Sequence, residues 1–145
     1  MINAAAARDN ATCAFVTWRP PEVNPFMVEA ERAVADLLPD LPVRVKGEPG
    51  QFGLDDRERI GEILAQAGWR DIAVEAVDKE CAFPATELVD YVTRLGPVGR
   101  ALDKASDEIC ERVIGTAIPA FDKYRNGSDI SFNAACWMVR ARTTA

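Results

Sequence analysis

The sequence predicts an α/β fold, because three stretches patterned as β-strands alternate with stretches patterned as helices. Strand patterning stands at residues 13–18, 71–79 and 130–142. Three strands separated by helices must share one sheet to bury their faces. A chain of 145 residues, 48% hydrophobic and 28% charged, can fill a core and has the composition of a globular domain. A single domain over residues 1–145 is expected.

Residues 13–18 read C-A-F-V-T-W, apolar on both faces except for Thr17. That pattern suits an interior strand covered on both sides. Arg19-Pro20-Pro21 ends it, since proline donates nothing to a ladder. Asn24-Pro25 has the form of an N-cap followed by proline at the first helical position. Met27, Val34, Leu37 and Leu38 then give a helix running to about Leu38. Residues 39–54 hold three prolines and three glycines without any period, as in a plain surface connection or a binding lid.

The best-specified helix follows. Asp55 and Glu58 stand at capping-box spacing, and Ile60, Ile63, Leu64 and Ala67 form its apolar stripe. Gly68 is placed as the left-handed residue after the helix, with Trp69 closing over the end. Next, Ile72, Val74 and Ala76 alternate with Ala73, Glu75 and Val77, which predicts a strand. Residues 84–95 carry Leu88, Tyr91, Val92 and Leu95 at helical spacing and stop at Gly96-Pro97. A second helical run over 98–124 has Leu102, Ile109, Val113, Ala117 and Phe121, with a break expected near Pro119. Asn126-Gly127-Ser128-Asp129 is a turn. The last segment alternates Ile130, Phe132, Ala134, Cys136 and Met138 against Ser131, Asn133, Ala135, Trp137 and Val139.

Composition narrows the chemistry. The net charge of −6 without a basic tract speaks against nucleic acid as a partner. No apolar stretch approaches the roughly 20 residues a membrane span needs. No secretory signal is visible at the start, so a cytoplasmic location is expected. Histidine is absent, which removes the commonest general base and metal ligand. Cys13, Cys81, Cys110 and Cys136 form no C-x-x-C pair, so no metal site is expected and they read as small buried hydrophobes. Asp55 and Asp56 read as helix-cap residues, and Glu29, Glu31 and Arg32 as a solvated helix face.

The run Phe15-Val16-Thr17-Trp18-Arg19-Pro20-Pro21, then Asn24-Pro25-Phe26, Pro49-Gly50-Gln51-Phe52-Gly53-Leu54 and Ile63-Leu64 through Ala67-Gly68-Trp69, resembles the C-terminal half of class I S-adenosylmethionine-dependent methyltransferases. The likeness is to their small-molecule, quinone-biosynthesis-type branch, and the closing stretch 135–142 fits it. The resemblance implies that the last strand lies antiparallel between the other two. The sheet is then three-stranded, in the order 1-3-2, and α+β in character as an isolated fragment. Helices of about residues 84–125 would form a cap inserted before the last strand.

The family holds its donor on a glycine-rich strand-to-helix loop and an acidic residue in its first half, and the chain carries no G-x-G-x-x-G. The resemblance therefore implies no cofactor held by this chain alone. Catalytic residues stay unassigned. The residues facing an acceptor would be Trp18, Arg19, Asn24, Phe26, Phe52 and Tyr91, although aromatic residues at element ends equally serve packing. Strand 13–18 would keep an open edge for a second copy, giving a homo-oligomer, or for an N-terminal-half polypeptide. The alternative is a stand-alone binding module for a hydrophobic small molecule, held between the helices and the 39–54 loop.

Overall fold

The computed structural model describes residues 4–143 and folds them into two compact units. The first comprises 4–24, 45–79 and 134–143; the second comprises Pro25–Arg44 and Glu80–Asn133. In chain order the regular elements are β1 (Thr12–Trp18), α1 (Glu29–Ala33), α2 (Arg57–Gln66), β2 (Arg70–Pro84), α3 (Leu88–Arg94), α4 (Gly96–Leu102), α5 (Asp107–Ala120), β3 (Arg125–Asn126) and β4 (Asp129–Arg142), with short 3₁₀ turns between them.

The α/β class holds, but the sheet has four strands, not three. β4 lies between β1 and β2 in an open antiparallel sheet, and the two-residue β3 pairs with the start of β4. The fourth strand is the outgoing arm of the expected turn. Arg125 faces Ile130 and Asn126 faces Asp129, with Gly127 at φ 62° supplying the left-handed residue such a hairpin requires. β1 and β4 pair without interruption from Thr12–Arg142 to Trp18–Cys136.

In the first unit α2 packs Ile60 and Leu64 onto Trp69, Val74, Val139 and Ala141, with Cys13 and Phe15 of β1 at the margin. β1 alternates between partly buried and exposed residues, and Val16 is 57% exposed. The expectation of cover on both faces is therefore corrected: only the face carrying Cys13 and Phe15 joins this core.

The cap of α2 is Asp56, one residue later than the capping-box spacing suggested. Its carboxylate accepts from the Glu58 and Arg59 N–H groups. Those N–H donors, the Arg59 one foremost, together with Lys46 at 3.1 Å, hold the carboxyl below its ordinary value. Asp55 is buried instead, and its carbonyl accepts from the Trp137 indole at 2.7 Å. The far end of α2 is as predicted. Gly68, at φ 90°, donates to Ala65 C=O and Trp69 to Leu64 C=O, the paired bonds of a Schellman ending.

The second unit is mostly helical. Phe26, Val34, Leu88, Val92, Val98, Leu102, Val113, Ala117, Phe121 and Ile130 form its core. Several helix boundaries differ from expectation. The helix after Pro25 begins as a 3₁₀ turn and is α-helical only over Glu29–Ala33, not to Leu38. The 98–124 run is two helices, because Ser106 caps a new start through its bond from the Ile109 N–H. Pro119 sits in the last turn of α5 and causes no internal break. The second strand extends five residues past Lys79, to Pro84.

Candidate functional site

The residues singled out from the sequence fall into two groups. Trp18, Arg19, Asn24 and Phe52 lie in the first unit, whereas Phe26 and Tyr91 lie in the second.

In the first unit the chain leaves β1 at Trp18 and turns sharply through Pro20 and Pro21. The Arg19 N–H extends the ladder by one more bond, to Ala135 C=O at 3.0 Å. Its guanidinium pairs with Asp78 at 3.0 Å and lies over the Trp137 ring, 5.2 Å from the centroid. The same Trp137 donates to Asp55 C=O, and Thr17 Oγ1 donates to Leu54 C=O at 3.3 Å. These two bonds tie the end of the 39–54 loop to the sheet. Phe52, in that loop, is buried.

Asn24 was expected to cap a helix; the structure corrects this. It is fully buried, and its side chain clasps the turn after β1. Its Nδ2 donates to Ala135 C=O at 2.9 Å, Arg19 C=O at 3.0 Å and Pro20 C=O at 3.4 Å, and its Oδ1 accepts from Ala135 N–H at 2.9 Å. The amide's capacity is spent on backbone, so Asn24 positions Arg19 and does not reach outward.

In the second unit Phe26 and Tyr91 do meet, with ring centroids 5.3 Å apart. Phe26 is 1% exposed and stacks on Phe132 at 4.0 Å, while Phe83, Phe121 and Tyr124 meet its edges. Burial, with Glu31 a smaller cause, pushes the Tyr91 hydroxyl up to about 12. It stays a neutral phenol at physiological pH.

One residue that the sequence reading placed on a solvated face lies inside. Glu29 is 5% exposed; it pairs with Lys123 at 2.7 Å, lies 3.9 Å from Arg32, and accepts from the Tyr124 hydroxyl at 3.3 Å. Burial first, then Glu29, raises Tyr124 to about 12. Only Arg32 is near Glu29 in sequence, so periodicity carried no signal for this cluster. Glu31 likewise is not free in solvent but paired with Arg44.

Among the described residues no three Cys, Asp or Glu side chains converge as a metal would need, and no helix is long and apolar enough to cross a membrane. The four cysteines are partly buried. The strand-to-helix connections after β1 and after β2 contain no glycine.

No family model and no curated protein matches this sequence. Solved structures do match. One is the crystal structure of a candidate methyltransferase from Bacillus halodurans C-125, with 12% identity and a TM-score of 0.36 over 95% of this chain. The chain spans 58% of that protein's length.

Proposed function

We propose that this chain corresponds to the substrate-side half of an S-adenosylmethionine-dependent small-molecule methyltransferase, and that it is inactive without a donor-holding partner. The observation that supports this most is the sheet order. β4 runs antiparallel between β1 and β2, the arrangement implied by the motif order of residues 15–72 and 135–142. The W-R-P-P end of β1 adds to it, since a similar W-x-P stretch ends the corresponding strand in the family whose motifs the sequence resembles.

The donor supplies an electrophilic methyl group; the acceptor side must hold a nucleophile in line with it and exclude water. Arg19 is the residue of this chain best placed for that, with Asn24 fixing the backbone from which it projects. Arg19 supplies positive charge against an ionised phenol or enol, and Asp78 sets its direction. No step is assigned to a general base, since the two tyrosines with raised values are partly buried neutral phenols in the second unit.

Equilibrium dialysis with labelled S-adenosylmethionine tests the reading, alongside titration with a hydrophobic phenol followed by tryptophan fluorescence. The chain alone should take up no stoichiometric donor, should bind the phenol, and should lose that binding on Arg19→Ala. Tight donor occupancy of the purified chain, or phenol binding indifferent to Arg19, overturns it.

A further inference from the structure

We propose that the open edge of β1 pairs with a second copy of this chain, antiparallel about a two-fold axis at Phe15. In an antiparallel ladder alternate residues turn their N–H and C=O toward one neighbour. Arg19 N–H donates to Ala135 C=O and Thr143 N–H to Ala11 C=O, which assigns the odd-numbered residues to β4. Thr12, Ala14, Val16 and Trp18 therefore direct their N–H and C=O groups away from the sheet. β1 ends the strand order, and among the described residues none of these groups meets a partner.

Edge strands are ordinarily protected by charged side chains, proline or a bulge. T-C-A-F-V-T-W contains no charge and no proline, and its register with β4 runs one to one. The edge is thus built for another strand.

A second copy fits it fully in one register. Thr12 then faces the partner's Trp18 and Ala14 faces the partner's Val16, and each pair exchanges two bonds. A slip of two residues either way leaves Thr12 or Trp18 unpaired. The two-fold gives both copies identical contacts, as closed dimers require. On the exposed face Val16 meets the partner's Ala14, a cross-strand apolar pair. The chain's net charge of −6 opposes self-association in general, but none of that charge lies on these seven residues. This pairing needs only the β1 backbone and describes the chain by itself; a donor-holding polypeptide that adds a strand to the same edge would displace the second copy.

Analytical ultracentrifugation of the full chain, with amide exchange followed by NMR across a concentration series, tests it. The expected result is twice the mass of one chain, with the Thr12, Ala14, Val16 and Trp18 amides exchanging at least about tenfold more slowly in the dimer. Combining Ala14→Lys with Val16→Lys opposes like charges across the axis and should return a monomer with an unchanged circular dichroism spectrum. A wild-type monomer with those four amides unprotected at every concentration overturns the proposal. So does a dimer that leaves them unprotected, whatever the lysine variant does.

Discussion

Replacing Asn24 with alanine isolates the clasp that holds the turn after β1. The substitution deletes one accepted bond, from Ala135 N–H at 2.9 Å, and donated bonds to Ala135, Arg19 and Pro20 carbonyls. Ala135 C=O keeps the Arg19 N–H at 3.0 Å, so it is not stranded. Ala135 N–H is the group left buried and unpaired, at a cost of about 1–3 kcal/mol, and loss of the Arg19 contact adds roughly 1 kcal/mol. The expected loss is about 2–4 kcal/mol. Asn24→Asp keeps the volume but sets carboxylate oxygens against carbonyls in a fully buried site. It should cost more than alanine at neutral pH and recover part of the loss in acid, where the protonated carboxyl can donate once. Urea unfolding followed by fluorescence reads this directly, because Trp18, Trp69 and Trp137 all lie in the first unit. A loss below about 0.5 kcal/mol for alanine, or an aspartate variant equal to it at every pH, would refute the assignment.

Two further outcomes follow from the same structure. Tyr91 and Tyr124 are both held above the ordinary 10.0, at about 12, so the protonated phenols are favoured by folding; stability should be intact below pH 10 and fall as pH rises toward 12. Circular dichroism of the alkaline transition checks the sign, and Glu29→Gln should bring the Tyr124 absorbance midpoint down but not to 10.0, since burial is the larger cause. Gly68→Ala places a side chain at φ 90° with its methyl 3.2 Å from Ala4 Cβ, and should cost about 1–2 kcal/mol in thermal unfolding; an unchanged midpoint would contradict the Schellman ending.

The elements that could be read from the sequence are those whose determinants are close together along the chain. Alternation at 130–139 gave β4, and Gly68 with the Ile60–Leu64 stripe gave the end of α2. Asn24 shows the limit. Asn-Pro is also how a helix begins, and what decides between capping and clasping is Ala135, 111 positions away. Glu29 is similar: its i+3 arginine makes it look solvated, whereas Tyr124, 95 positions distant, donates its hydroxyl to the buried carboxylate. β3 escaped notice because a two-residue strand has no period of its own, although the turn beside it was plain. At the candidate site, the aromatic and basic residue types could be chosen from motif order. Their division between two units depended on tertiary packing.

The central place of β4 also constrains how the protein reaches this state. Ala11 and Thr143 are bonded although 132 positions separate them, so the ladder closes only after almost the whole described chain has been made. Contacts of such span are slow to form, because a long loop must lose its freedom before any bond rewards it. The helical segments, whose contacts are local, can be in place first, and β1 and β2 wait for the strand that joins them. Removing the last dozen described residues would take away the β4 segment paired with β1 and leave β1 without a neighbouring strand from its own chain.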